Sequence, residues 1–293
     1  MSELGEFLRT RRAAIRPEDY GLLSGPAARR RVPGLRREEL ALLAGISIDY
    51  YVRLEQGRTR NVSDEVLEAV ADALQLSPDE RVYLRNLARP APRKRHTPRP
   101  QRVRPGLRRL LECAHDIPAL VLGRRMDVLA WNPLARLVVA DFDRLPPKDR
   151  NIARLVFLHD GPDRYPDFEA VAKEVVGVLR SYAGRHPDDP AMATLIGELS
   201  LSSVEFTRLW SGFTIREKAH GSKVIRHPAV GELTLDYETL RLPDDPEQLL
   251  VTYTAAAGSA SETSLRLLAG LGAATTAMAG DHAAVRRSEE ISR

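Results

Sequence analysis

The segment Arg36-Arg37-Glu38-Glu39-Leu40-Ala41-Leu42-Leu43-Ala44-Gly45-Ile46-Ser47-Ile48-Asp49-Tyr50-Tyr51-Val52-Arg53-Leu54-Glu55-Gln56-Gly57 constrains this chain more than any other. Leu40, Leu43 and Ala44 have the i, i+3, i+4 spacing of one helix face, and Gly45 follows where a chain leaving a helix needs positive φ. Ser47 stands where an N-cap belongs. Beyond it Tyr51, Leu54 and Glu55 share one face of a second helix while Asp49, Arg53 and Gln56 share the opposite one, and Gly57 closes it after about ten residues. The pattern predicts two short helices joined by a tight turn, the second of a size that a DNA major groove admits. Asp49, Tyr50, Arg53 and Gln56 are then placed to read base edges, Ile48 to meet a thymine methyl, and Arg53 to pair with guanine.

The flanks predict a compact bundle. Leu4, Phe7, Leu8 and Arg11 begin an N-terminal helix that Pro17 ends. Asn61-Val62-Ser63 offers a cap for a helix carrying Val66, Leu67, Val70 and Leu74. Ser77-Pro78-Asp79-Glu80 reads as a capping box with Pro at the first helical position, ahead of Val82, Tyr83, Leu84 and Leu87. The expectation is an all-α, five-helix domain over residues 1–89.

Leu40-Ala41, Gly45, Ser47 and Glu55-Gln56-Gly57 resemble the helix-turn-helix of the Cro and phage-repressor type, the XRE family, over residues 36 to 90. Two features depart from that pattern. Arg37 stands where the family usually has Gln, which implies a phosphate contact in place of a bidentate adenine contact. The run Gly21 to Gly34 is a long insertion carrying Arg29-Arg30-Arg31, a triplet that is either a solvated surface run or a tracker of phosphates and minor groove. The candidate DNA contacts are therefore Arg29, Arg30, Arg31, Arg36, Arg37, Ser47, Ile48, Asp49, Tyr50, Arg53 and Gln56, with a double-stranded operator as partner.

Charge divides the chain in the same place. Residues 1–104 hold 21 Lys and Arg against 14 Asp and Glu, which leaves 23 against 26 of the chain totals of 44 and 40. A basic N-terminal part on a mildly acidic remainder suits nucleic-acid binding by the first. Between them residues 90–105 contain five prolines and six basic residues, the composition of a semi-rigid, extended linker. The single cysteine, Cys113, cannot form an internal disulfide, no signal peptide opens the sequence, and no apolar run approaches the roughly twenty residues of a membrane helix. A cytoplasmic protein with no membrane association is expected.

Residues 106–270 mix periods. After a helix near Leu107 to Ala114, Ala119 to Leu122 and Met126 to Trp131 predict two strands joined at Gly123 to Arg125. Asn132-Pro133 caps a helix through Ala140. Helices are expected over Asn151 to Leu158, Phe168 to Arg185, Ala191 to Leu199 and Val204 to Trp210, then strands over Lys223 to Arg226, Gly231 to Tyr237 and Gln248 to Thr254. A last helix near Glu262 to Leu268 precedes a tail, 271–293, expected to be disordered.

Strand, strand, helices, then three antiparallel strands is the order of a PAS-type sensor, and Val128-Leu129-Ala130-Trp131-Asn132-Pro133 looks like its strand-to-helix step. Together with Arg31-Val32-Pro33-Gly34-Leu35-Arg36-Arg37-Glu38-Glu39-Leu40-Ala41 and His227-Pro228-Ala229-Val230-Gly231-Glu232-Leu233-Thr234-Leu235, this closely resembles the MmyB-like transcription regulators of actinobacteria. The resemblance implies an α+β PAS-like domain with an antiparallel sheet that accepts a small apolar effector such as a fatty acid, in a DNA-binding homodimer. An acyl chain needs an apolar cavity with a cation or a few donors at its mouth. Trp131, Asn132, Arg154 and Phe157 are the candidate ligand residues; the plainer alternatives are a core aromatic for Trp131, a cap for Asn132 and a surface or structural cation for Arg154.

Two other functions compete. The C-terminal domain could serve only dimerisation or partner binding in a constitutive regulator. Less favoured is an enzyme fused to a DNA-binding domain: the histidines His96, His115, His159, His186, His220, His227 and His282 show no His-Glu-x-x-His pairing, and no phosphate-cradling glycine loop is present. Asp160-Gly161-Pro162-Asp163 and Asp188-Asp189-Pro190 have the makings of turns and caps. No catalytic residues, metal or cofactor are expected.

Overall fold

The computed structural model describes residues 2–21, 34–59, 61–89, 100–212, 215 and 219–271. The Arg29-Arg30-Arg31 triplet, the proline-rich stretch 90–99 and the tail 272–293 lie outside the described residues. The chain forms two compact units: residues 1–96, 176–197 and 206–217 make one, and 97–175, 198–205 and 218–293 the other.

The first unit contains the expected five helices, α1 (Glu3–Ala14), α2 (Arg37–Leu43), α3 (Ile48–Glu55), α4 (Asp64–Ala73) and α5 (Pro78–Ala88). Their starts follow from local hydrogen bonds. Ser47 Oγ accepts the Tyr50 N–H at 3.2 Å, Ser63 Oγ accepts that of Val66 at 3.3 Å, and Glu80 returns a 2.8 Å bond from the Ser77 N–H to complete the capping box. The turn between α2 and α3 is set by Gly45 at φ 63°, whose N–H bonds Leu42 O while the Ile46 N–H bonds Ala41 O. That crossed pair is a Schellman ending, which needs a left-handed residue at its apex. The same ending recurs after α4 on a non-glycine residue, Gln75 at φ 49°, with Leu76 N–H bonded to Ala71 O. Phe7, Leu8, Leu35, Leu40, Tyr51, Leu54 and Val70 are wholly buried and form the core.

In the second unit α6 (Pro105–Cys113) precedes β1 (Ala119–Leu122) and β2 (Val128–Trp131). Then come α7 (Pro133–Val138), α8 (Ile152–Leu158), α9 (Gly161–Arg164), α10 (Phe168–Arg185), α11 (Pro190–Ser202) and α12 (Val204–Ser211). Residues 176–197 and 206–211 of these helices belong to the first unit. β3 (His220–His227), β4 (Gly231–Leu242) and β5 (Asp245–Thr254) follow, and α13 covers residues 260–271. The sheet is antiparallel throughout, in the order β2-β1-β5-β4-β3. Alternation along the strands separates its faces. Leu120, Leu122, Ile225, Leu233, Leu235, Tyr237, Val251 and Tyr253 pack with α7 and α13 on one side. Ala119, Val121, Ala130 and Leu250 meet Val103, Leu107 and Leu111 on the other.

Several boundaries differ from the sequence reading, for physical reasons. β2 starts at Val128 because Arg125 and Met126 take positive φ in a 3-10 turn. β4 continues to Leu242 because pairing with β5 supplies backbone hydrogen bonds whatever the side-chain polarity. Residues 100–105, expected as linker, include Val103 in the core and Gln101, whose side-chain oxygen accepts the Arg124 N–H at 2.7 Å. Asp189 takes the cap role its turn suggested, accepting the Ala191 N–H at 3.0 Å and the Tyr182 hydroxyl at 2.8 Å.

Candidate nucleic-acid interface and ligand site

The face of α3 turned to solvent carries the residues that the sequence singled out. Ser47, Ile48, Asp49, Arg53 and Gln56 are exposed and Tyr50 is half-buried, while Tyr51, Leu54 and Glu55 are buried on the opposite face. The Ser47 cap and the Gly45 turn fix where this helix starts, so the outward set is held by the backbone.

What holds α3 from behind is a charge cluster. Glu55, a carboxylate with 3% of its side chain exposed, receives Arg12 Nη2 at 3.2 Å and a two-pronged contact from Arg37 Nε and Nη2, both at 3.1 Å. Arg12 also bonds Leu35 O at 2.7 Å, which ties α1 to the entry of α2. Burial pushes the Glu55 carboxyl upward, but the Arg37 hydrogen bonds and the Arg12 charge outweigh it and hold the group below its ordinary range. Arg37, expected as a phosphate contact, thus spends one edge of its guanidinium on Glu55 and stays half exposed. Arg36 sits at the start of α2, its N–H bonded to Glu39 at 2.7 Å and its guanidinium 3.5 Å from Glu38.

In the second unit the four ligand candidates have distinct surroundings. The Trp131 ring lies 5.1 Å from Phe142, with the Arg150 guanidinium 5.2 Å from its centroid. Asn132 is buried and saturated: its Oδ1 accepts from Ala119 N–H at 3.1 Å and Ala135 N–H at 2.8 Å, and its Nδ2 donates to Ala114 O at 2.6 Å and Ile117 O at 2.7 Å. All four of its hydrogen-bonding positions therefore serve the backbone. Arg154 grips Glu198 through Nε at 3.0 and 3.2 Å and Lys148 O through Nη1 at 2.8 Å. Those Glu198 hydrogen bonds raise the Arg154 pKa and lower that of Glu198. Phe157 meets Phe168 edge-on at 6.2 Å.

Sequence reasoning passed over the polar groups on the sheet face that packs with α7 and α13. Tyr237 and Tyr253 are directly paired in register, Lys223 Nζ lies 4.3 Å from the Tyr237 ring centroid, and Glu174 is 3.7 Å from Lys223. Arg164 reaches over from α9, bonded to Val138 O and 3.6 Å from Asp160. The strand alternation that put Leu233, Leu235 and Tyr237 on one face was the available signal.

Two comparisons with known families bear on this arrangement. Residues 3–84 match a helix-turn-helix domain family. Residues 103–268, more than half of the chain, match the family described as MmyB-like transcription regulator ligand binding domain. The chain belongs to the MmyB-like transcription regulators. In this MmyB-like chain the helix-turn-helix is the DNA-binding element, and the α+β domain with its five-stranded antiparallel sheet is the ligand-binding one. No curated protein matches the chain at a significant level. Among the described residues no helix is long and apolar enough to cross a membrane.

Proposed function

We propose that this MmyB-like regulator binds, as a homodimer, an operator with two half-sites, reading bases through Ser47, Ile48, Asp49, Tyr50, Arg53 and Gln56, and that a small apolar molecule of the fatty-acid class in the second domain alters its affinity for DNA. The observation that carries the DNA half is the outward face of α3, exposed and polar around Arg53 while its rear is clamped through Glu55. Arg36 and the free edge of Arg37 suit phosphate contacts that set register, and half-sites one helical turn apart, about 10–10.5 base pairs, follow from a twofold dimer.

The effector half rests on the inner sheet face. Leu120, Leu122, Leu233, Leu235 and Val251 make it apolar, as an acyl chain requires, and Trp131, Ile152 and Leu155 at its margin are only partly buried. Asn132 and Arg154 act in this proposal as the frame of the site, since their polar atoms already hold protein partners, while Trp131 and Phe157 supply apolar wall. Organic extraction of the purified full-length protein followed by mass spectrometry should release about one lipid per chain. A clean extract, together with DNA binding that no added fatty acid changes, would leave a constitutive regulator whose second domain only dimerises.

A further inference from the structure

The helix that opens the second unit carries its charges in the wrong order for a helix that stays alone. In α6 the first turn has no acidic residue and the last turn no basic one; Arg108 and Arg109 stand in its N-terminal half, Glu112 in its last turn and Asp116 just beyond it. The macrodipole favours the reverse, anions at the N-terminus and cations at the C-terminus. None of these four side chains has an ion-pair partner among the described residues, although Arg104, at the cap of the same helix, is paired with Asp244. Leu107 and Leu111 are buried with Val103, Val121 and Leu250, which leaves Arg109, Glu112 and Cys113 on the outside, all three exposed. Arg109 and Glu112 have the i, i+3 spacing of neighbours on one face. Leu110, 54% exposed, borders them, and the space beyond Gly106 is open, since an added Cβ would meet nothing nearer than Arg109 Nη2 at 3.9 Å. A second helix can therefore approach this face closely.

We infer that the outer face of α6 is the contact between two copies of this chain, paired antiparallel about a twofold axis that passes between residues 110 and 111. This rests on the homodimer reading above and gives it a surface. In that register Arg109 of each copy faces Glu112 of the other, so one i, i+3 pair supplies two reciprocal ion pairs, as a twofold contact requires. The N-terminal end of one helix then lies beside the C-terminal end of its partner. Charges that oppose their own dipole complement the partner's, and that complementarity specifies a second copy running the opposite way. Leu110 and Cys113 supply the apolar part of the contact. A helix of nine residues, about 14 Å long, covers less than the roughly 800 Å² per partner of a standard interface. The dimer is therefore weak in free solution and is reinforced when both copies sit on one operator.

Cys113, the only cysteine in the sequence, is a built-in reporter. In the paired helices the two Cys113 are about 8 Å apart along the helix direction, at about 1.5 Å per residue, within reach of a bismaleimide that spans about 10 Å. The test uses the full-length protein at about 100 μM, a concentration suited to a weak contact, with sedimentation equilibrium and cross-linking as readouts. Wild type should show reversible dimers and a Cys113 cross-link. Arg109→Glu and Glu112→Arg each set like charges against one another twice, and each should weaken the dimer at least about tenfold and lose the cross-link. The double variant Arg109→Glu/Glu112→Arg restores opposite charges and should return to within about threefold of wild type. Both positions are exposed, so the fold is kept, which circular dichroism verifies. A dimer that neither single variant weakens, or a double variant as weak as the singles, overturns the α6 contact and leaves the homodimer reading standing. Wild type that stays monomeric and gives no cross-link overturns both.

Discussion

Replacing Glu55 by Gln tests how α3 is held. The variant keeps the shape and one acceptor oxygen but removes the counter-charge of Arg12, whose side chain is 8% exposed and cannot rehydrate in place. Arg37 and Arg9, at 51% and 40% side-chain exposure, can turn to water. The loss therefore falls on Arg12. Breaking a buried pair costs about 3–5 kcal/mol, and the bond that the Gln oxygen retains offsets about 1, so a loss of about 3 kcal/mol is expected. Urea denaturation followed by circular dichroism should show a midpoint lower by about 1–3 M, and hydrogen exchange should place the loosening in α1 to α3. The double variant Arg12→Met/Glu55→Met removes both buried charges and should regain most of the stability, short by about 1 kcal/mol for the lost bond to Leu35 O. The pH dependence has a definite sign. The folded-state pKa of Glu55 lies below its ordinary 4.5, so its contribution is present above that value and fades as pH falls through the lowered one. Wild type and Glu55→Gln should converge in acid. A single variant within about 1 kcal/mol of wild type, or a double variant less stable than the single, would refute the buried-pair argument.

Arg53→Ala should cost about 1–3 kcal/mol on the operator and relax preference at one base pair in a binding-site selection; equal weakening on random DNA would make Arg53 a phosphate contact. Asn132→Asp places carboxylate oxygens against Ala114 O and Ile117 O, so the variant should be less stable at neutral pH and recover as pH falls and the side chain regains a proton, read by thermal melts from pH 4 to 8. Gly184→Ala puts a methyl 2.3 Å from Tyr83 Cε2, on a ring fixed by its 2.7 Å bond to Glu3, and should destabilise by about 1–3 kcal/mol; an unchanged midpoint would mean the helices yield there freely. Gln75→Gly relieves the left-handed strain of an exposed residue and should stabilise by about 0.5–1 kcal/mol in the same urea assay.

Features made by near neighbours in sequence were legible. The Ser47, Ser63 and Ser77-Glu80 caps close over three residues, and the bounds of α10 follow from its apolar period alone. Helical spacing puts Glu55 on the inner face with Tyr51 and Leu54, but its partners are not legible beside it, because Arg12 and Arg37 lie 43 and 18 residues away. Arg154 attracted notice through its apolar neighbours, and only the fold brings Glu198 to it from 44 residues away. Asn132 was recognisable as a cap, since the bond to Ala135 is local, whereas its hold on Ala114 and Ile117 depends on how α6 leads into β1. The Tyr237 and Tyr253 pairing needs strand register, which hydrophobic alternation suggests for each strand separately but does not align between strands. Residues 176–197 join the first unit through contacts such as Arg180 with Glu3 and Tyr83, and no periodicity in α10 announces that.

The two ends of the segment between α1 and α2 are tied down independently of what lies between them. Tyr20 donates its hydroxyl to Ala73 O at 2.9 Å on one side, and on the other Leu35 N–H bonds Arg12 O at 3.1 Å while its own carbonyl takes the Arg12 guanidinium. With the end-to-end separation fixed in this way, loop-closure entropy rises only logarithmically with length, about 0.6 kcal/mol for each doubling. Residues can therefore be added or removed between these two anchors at little thermodynamic cost to the bundle. The seat of the reading helix is thus set by contacts within the bundle itself.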